Sequence, residues 1–355
     1  MNFENIQKII NKGIPEIFPS ASLLIGKGDT VLFKHTEGFA SIVPENKKAN
    51  NSTVYDIASL TKVISTTTLT MLLIQENKLS LKTPVKKFIN KFKNSDVTIL
   101  HLLTHTSGLP DWKPYYLSLE KLPSFRKHPN ASRKVVDLIC MEKPAANPDE
   151  KRIYSDLSFI LLGFILEKIY GNNLDKLFLK YVAAPLKLKN CMFLPHSSNI
   201  AATEDCKLRG KIISGEVHDE NAYALGGVAG HAGLFSNAED IFLFSKSIIK
   251  SYNGDESFIK PEITREFFDF VPENFSERYA IGWDRPAKAS SSAGSLFSEK
   301  TVGHLGFTGC SLWIDLLREV TVIFLTNRVH PSRSNEKIKK FRPILHDAIN
   351  RIIDG

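Results

Sequence analysis

Tyr55-Asp-Ile-Ala-Ser-Leu-Thr-Lys-Val-Ile-Ser65 contains a Ser-x-x-Lys at Ser59 and Lys62, and Tyr154-Ser155-Asp156 and His304-Leu305-Gly306 follow it in that order. The tetrapeptide alone carries little weight. The same spacing recurs at Ser118, Ser124, Ser247, Ser257 and Ser334, where it reads as an exposed serine and lysine on a surface helix. Context separates Ser59 from the others, because Ile57-Ala58 before it and Val63-Ile64 after Lys62 make the stretch apolar enough to bury. On a helix, residues three apart are neighbours, with Cβ atoms about 5 to 6 Å apart, so Lys62 stands beside the Ser59 hydroxyl. With Ser59 in the first turn, the positive end of the helix dipole and burial both disfavour an ammonium. This predicts a Lys62 neutral enough to accept a proton.

Working outward, β-rich runs lie at both ends of the chain. Residues 21–25 and 30–34 are apolar runs separated by the turn Gly26-Lys-Gly-Asp29, and residues 302–307, 310–316 and 320–326 form a late block. Between them the spacing is helical over 59–76, over 157–169 up to the stop Gly171-Asn172-Asn173, and over 238–249 after Ser236-Asn237. It is helical again over 338–353. The pattern predicts an α/β (α+β) fold in which both chain ends build one antiparallel sheet, flanked by helices. Residues 1–75 and 222–355 form the sheet domain, residues 76–221 a mainly helical inserted domain, and the active site lies at their interface. Residues 288–298 read as a mobile small-residue loop that, with residues 111–134, shapes the pocket.

With 355 residues and 43% apolar content, the chain can bury a large core. Phe3, Ile6, Ile9 and Ile10 fall at helical spacing among polar residues, which reads as an amphipathic helix rather than a signal peptide. The most apolar run, 158–166, is broken by Gly163 and closed by Glu167 and Lys168, too short to span a bilayer. Cys140, Cys191, Cys206 and Cys310 lie far apart without a Cys-x-x-Cys, as expected of reduced, buried thiols in a cytoplasmic protein. The formal charge of +8 comes mainly from scattered lysines. Only Lys86, Lys87, Lys91 and Lys93 cluster, and they read as a solvated helix face rather than a nucleic-acid or membrane patch. The expected partner is a small molecule, with no nucleic acid and no stable membrane insertion; the oligomeric state stays open.

Ser-x-x-Lys, Tyr-Ser-Asp and His-x-Gly in this order resemble the serine β-lactamase and penicillin-binding-protein family, nearest its class C-like, family VIII esterase branch. His101-Leu-Leu-Thr-His-Thr-Ser-Gly-Leu-Pro110, Gly226-Gly-Val-Ala-Gly-His-Ala-Gly-Leu-Phe-Ser236, Gly282-Trp283 and Leu325-Thr-Asn-Arg-Val-His-Pro331 look similar to the same family. The likeness runs from about residue 20 to residue 350. It implies a β-lactamase/transpeptidase-like fold without cofactor or metal. Ser59 would be the acylated nucleophile, Lys62 its base or proton relay, and Tyr154 the second acid/base group. A phenol with a pKa near 10 needs a neighbouring cation to act as a base at neutral pH, and Lys62 supplies one. Tyr170-Gly171-Asn172 fits the family's usual Tyr-x-Asn better, yet it closes an amphipathic helix with stop residues, so its role reads as structural. Asp156 in the usual Asn place is a departure, since a carboxylate only accepts where an amide also donates.

In the lactamase branch the third element is Lys-Thr-Gly, whose cation helps bind a substrate carboxylate. His304 lacks that permanent charge, which implies weaker recognition of a β-lactam or D-Ala terminus. Gly306 permits close backbone approach, and the Phe307 amide with that of Ser59 would form the oxyanion hole. Lys300-Thr301-Val302-Gly303 is a slipped alternative with its glycine one place late. Asn327 and Arg328 either restore carboxylate binding, through a bidentate guanidinium, or form a strand-end turn. His101, His105 and Ser107 read as a helix cap, and His231 as a packed loop residue or part of the site wall. His218-Asp219-Glu220 lacks zinc spacing, Cys310 reads as a core thiol, and no Gly-x-Ser-x-Gly elbow is present. The function implied is a serine hydrolase cleaving small carboxylic esters through an acyl-serine. The alternatives are a D-alanyl-D-alanine carboxypeptidase-like or β-lactam-hydrolysing enzyme acting on an amide or β-lactam, and a non-catalytic penicillin-binding sensory protein.

Overall fold

The computed structural model describes residues 1–119, 131–273, 275 and 278–355. The Ser124 tetrapeptide, the Lys121 partner of Ser118 and residues 120–130 of the 111–134 loop therefore lie outside the described residues. Helix α1 (Glu4–Gly13) precedes strands β1 (Ser20–Lys27), β2 (Thr30–Ser41) and β3 (Lys47–Lys48). Helices α2 (Thr68–Gln75), α3 (Asp156–Tyr170) and α4 (Ala238–Tyr252) follow. Strands β4 (Tyr279–Ala280), β5 (Trp283–Asp284), β6 (Thr301–Leu305), β7 (Ser311–Asp315) and β8 (Val320–Thr326) lead to α5 (Ile338–Asp354). The strands pair antiparallel in one sheet, in the order β3-β2-β1-β8-β7-β6-β5-β4. The two ends of the chain meet where β1 pairs β8, from Ala21 opposite Thr326 to Lys27 opposite Val320.

Alternation explains why these two strands read as unbroken apolar runs. Ala21, Leu23 and Ile25 join Val320, Val322 and Phe324 on the face covered by Ile6 and Ile10 of α1 and Leu345 and Ile349 of α5. Leu24, Ile323 and Leu325 point the other way, into a larger core shared with Ile64, Phe159 and Phe244. Both faces are buried, so neither carries a polar stripe. Helix α3 exceeds its predicted span by one residue at each end. Ser155 caps it by accepting from the Ser158 amide at 3.3 Å, and Gly171 ends it in the left-handed conformation at φ 69°. Tyr170 is thus the last residue of a helix, as its stop signals implied.

Two local expectations change. Lys86 and Lys87 sit exposed on a single 3₁₀-helical turn, Val85–Lys87, and Lys91 and Lys93 follow, also exposed, outside any helix. Residues 288–298 do not border the cleft described below. They lie on α5, where Asp347 accepts from the Ser295 amide at 2.6 Å. The four cysteines are buried free thiols. No helix among the described residues is long and apolar enough to cross a membrane.

Candidate active site

The short strand Tyr55–Asp56 runs into Ala58, whose φ of 47° is left-handed, a conformation L residues rarely adopt. This turn presents Ser59 at the helix start. The helix that follows is not regular, because Lys62–Thr67 forms a π turn before α2. The hydroxyl-rich run Ser65-Thr66-Thr67-Thr68 supplies the cause: Thr68 Oγ1 donates to the Val63 carbonyl at 2.9 Å, and Thr66 Oγ1 to the Gly230 carbonyl at 2.6 Å. Side-chain donors competing for backbone carbonyls loosen a helix in this way.

Lys62 is fully buried, and its Nζ donates to Ser59 Oγ at 2.9 Å and to the His231 carbonyl at 3.2 Å. It also pairs with Asp156 Oδ1 at 2.7 Å. Burial alone would push its pKa down, but the Asp156 charge and the Tyr154 hydroxyl outweigh burial and hold it above the ordinary lysine value. The expectation of a neutral resting Lys62 is therefore corrected, because a carboxylate stands where the family's usual residue is an uncharged amide. Tyr154 stands at the cleft mouth, 40% exposed, with its hydroxyl turned to Lys62 and Ser59. Desolvation by the surrounding protein lifts its pKa against the pull of Lys62. At rest the site therefore holds an ammonium, a carboxylate and a neutral phenol.

His105 holds Tyr154 from behind. Its carbonyl accepts the Ile153 amide at 2.9 Å, its Nδ1 accepts the Ser155 amide at 3.0 Å, and its ring centroid lies 4.6 Å from that of Tyr154. Burial, with Arg152 and Lys62 nearby, pushes its pKa well down, so the ring is neutral. Capping instead falls to His101, which exchanges hydrogen bonds with Thr98. Sequence spacing gave no sign of the His105 role, since the contact joins segments distant in the chain.

The opposite wall is β6. His304 is buried and donates Nδ1–H to the Leu305 carbonyl at 2.8 Å, and burial lowers its pKa. The imidazole that faces the nucleophile turn is thus neutral. At Gly306 a Cβ would lie 2.7 Å from the Ile57 carbonyl oxygen, so only glycine lets the strand approach the nucleophile turn. The Phe307 ring is half-exposed between His218, at 5.6 Å between centroids, and the Arg328 guanidinium at 4.6 Å. Among the described residues, no acceptor takes the backbone amide of Ser59 or Phe307. Ser59, Trp112, Tyr154, Asp156, His304 and Phe307 line one cleft of about 660 Å³.

Other expected residues fall elsewhere. Asn327 does not reach the cleft: its Oδ1 accepts the Ser20 amide and hydroxyl at 2.9 Å each, and its Nδ2 donates to the Phe39 and Ala40 carbonyls at 3.2 Å. Its amide ties the end of β8 to β1 and β2. Arg328 lines the cleft, but its guanidinium donates to the carbonyls of Phe307, Arg333 and Asn335. Lys300 pairs with Asp269 at 2.6 Å, away from the cleft, which disposes of the slipped motif. Asp219 and Asp284 line the cleft without having been expected there. Asp219 accepts His231 Nε2–H at 2.9 Å, and Asp284 pairs with Arg152 at 2.7 Å. Ligand atoms of Asp156, Asp219 and His231 lie within 4.8 Å of one another, close enough to share a cation, and the Lys62 ammonium already pairs with one of them.

A family model described as Beta-lactamase matches residues 12–343. A protein of Escherichia coli K12 named "Putative D-alanyl-D-alanine carboxypeptidase" is 30% identical over 88% of this chain and 79% of its own length. Among solved structures, EstCE1, described as a hydrolase with promiscuous acyltransferase activity, superposes with TM-score 0.77 at 20% identity, covering 98% of both chains. The octameric penicillin-binding protein homologue from Pyrococcus abyssi superposes with TM-score 0.76 at 22% identity, covering 100% of this chain and 78% of that one. At these identities the structural matches establish a shared fold.

Proposed function

This chain belongs to the beta-lactamase family, and from that premise we propose that it is a serine hydrolase cleaving small carboxylic esters through an acyl-Ser59 intermediate. The observation that carries the proposal is the contact of Ser59 Oγ with the buried Lys62 Nζ at 2.9 Å, with the Tyr154 hydroxyl turned to both. A nucleophile beside a proton-accepting pair is what acyl transfer requires. Because Lys62 and Tyr154 both hold their protons at rest, the active form is the one in which the pair has lost one proton to solvent.

In that form the Ser59 oxygen attacks the ester carbonyl carbon while its proton passes to the Lys62–Tyr154 pair. The carbonyl oxygen gains the negative charge and is received by the free amides of Ser59 and Phe307. Collapse of the tetrahedral centre breaks the ester bond, and the leaving alcohol takes the proton from the pair. Water then attacks acyl-Ser59 by the same route, releasing the carboxylic acid and restoring the serine. Neutral esters are favoured because His304 is uncharged and Asp156 and Asp219 both line the cleft, which disfavours an anionic group beside the nucleophile.

A second reading, cleavage of D-alanyl peptides, draws support from the name of the E. coli relative and from Arg328 and Arg342 in the cleft lining. Initial rates on p-nitrophenyl acetate, butyrate and octanoate, beside a chromogenic cephalosporin and a D-Ala-D-Ala peptide, separate the readings for wild type and Ser59→Ala. Ester turnover that disappears in Ser59→Ala, with little release of D-Ala or cephalosporin product, is the expected outcome. Dominant D-Ala release would replace the ester reading with the peptidase one. A labelled penicillin held for hours without any turnover would favour a sensory protein.

A further inference from the structure

Asp56 lies three residues before Ser59 and is almost fully buried, yet the chemistry outlined above does not use it. Its carboxylate accepts two backbone amides from different segments: Oδ1 takes Ala58 N–H at 2.8 Å, and Oδ2 takes His218 N–H at 2.7 Å. Its carbonyl oxygen accepts the Thr308 hydroxyl at 2.7 Å. Ala58 precedes Ser59, Thr308 follows Phe307, and the His218 ring stacks on the Phe307 ring. One residue therefore ties together the nucleophile turn, the strand end opposite it and the loop that braces Phe307. The Ala58 bond also supports a left-handed alanine, a conformation that persists only where its surroundings hold it.

We propose that Asp56 is the positioning residue of the oxyanion hole, setting the spacing between the Ser59 and Phe307 amides through Ala58 and Thr308. The inference rests on the acyl-Ser59 reading. An oxyanion hole works only when its donors are already placed where the charge develops, so a fault in their spacing affects the transition state more than the bound ester. Asp56→Asn turns one carboxylate oxygen into a donor facing a backbone N–H, which separates one of the two segments from the turn.

The test measures kcat and KM on p-nitrophenyl butyrate, and Ki for phenylboronic acid, whose adduct with Ser59 Oγ is tetrahedral. Asp56→Asn is expected to lose about tenfold or more in kcat with KM changed less than about twofold, and Ki is expected to rise in parallel with the kcat loss. Asp315→Asn is the control for general destabilisation. Asp315 is also a buried carboxylate accepting backbone amides, those of Ser298 at 3.0 Å and Arg318 at 3.1 Å, but it does not line the cleft. If Asp56→Asn does not fold, Thr308→Val carries the test, with a severalfold loss in kcat expected and Thr308→Ser retaining the wild-type rate. Unchanged kcat in the folded Asp56 or Thr308→Val variant, an unmoved Ki, or an equal kcat loss in Asp315→Asn would overturn the proposal. Turnover surviving in Ser59→Ala would instead remove the acyl-serine reading, and this inference with it.

Discussion

A lysine with no exposed surface loses its hydration, and that loss by itself favours the neutral amine. Lys62 nevertheless stays charged because Asp156 lies 2.7 Å away, inside the same low-dielectric wall. The ion pair therefore delays formation of the base. Asp156→Asn removes the carboxylate while keeping an acceptor oxygen, so the pKa of Lys62 should fall and the active, once-deprotonated form should appear at lower pH. The rising limb of kcat/KM is expected to shift toward acid, with a severalfold higher rate at neutral pH; an unshifted or alkaline-shifted profile would refute this account. Linkage gives the matching sign for stability: a lysine whose folded pKa is raised contributes fully at neutral pH and loses that contribution only as pH rises through the folded value. At this scale the sequence shows which residues can meet, but it predicts the wrong charge for Lys62. Ser59 and Lys62 are helical neighbours, so their contact follows from spacing, but Asp156 reaches Lys62 only through tertiary packing. Asn327 shows the reverse failure, since its residue type suits substrate binding while its position commits the amide to the backbone of two strands, β1 at Ser20 and β2 at Phe39 and Ala40.

The elements that place these residues meet at unusually short range. Helix α3 carries Asp156 in its first turn and crosses the Gly230–His231 loop so closely that a Cβ on Gly230 would lie 2.1 Å from the Phe159 carbonyl and 2.9 Å from the Gly163 amide. Thr66 of the π turn donates to the Gly230 carbonyl from the other side. Gly230→Ala must therefore push α3 away from the nucleophile helix, at a cost of about 1 to 3 kcal/mol for overpacking, and it shifts Asp156 and Tyr154 with it. A drop in kcat of more than about tenfold is expected. Gly171→Ala at the far end of α3 meets nothing within 4 Å and strains only its left-handed φ of 69°. It should cost about 1 kcal/mol and spare kcat. Equal kcat losses in the two variants would show that helix stability, not placement, sets activity. The ends of α3 were legible because Ser155 and Gly171 are local signals. The π turn was not, because it depends on a carbonyl supplied from a distant loop. The extension of β2 to Ser41 has a similar cause, since pairing with β1 as far as Gly38 and with β3 at Phe39 and Ser41 overrides its polar residues.

At the scale of the whole molecule, the alternating and apolar runs at both chain ends were enough to anticipate one antiparallel sheet, since each run needs a partner and few others were available. The paired order, with β1 beside β8, depends on tertiary closure that no local pattern encodes. The division into residues 1–75 with 222–355 against 76–221 is compatible with two lobes that unfold separately or with one composite unit. The core favours one unit. Leu24, Ile314 and Leu325 of the sheet, Ile64 and Leu69 of the nucleophile helix, and Leu162, Phe178 and Val182 of the helical segment belong to one contiguous apolar cluster. Unfolding either part alone would expose the face of the other, so the two should melt together. Far-UV ellipticity, which follows the helices, and fluorescence of a Trp112→Phe variant, which leaves Trp283 and Trp313 to report on the sheet, are expected to give the same midpoint. The calorimetric enthalpy should then equal the van't Hoff value. Loss of far-UV signal at a lower temperature than the sheet fluorescence would mean that the helical segment is an independent unit, and the active-site residues it carries would then be lost before the sheet unfolds.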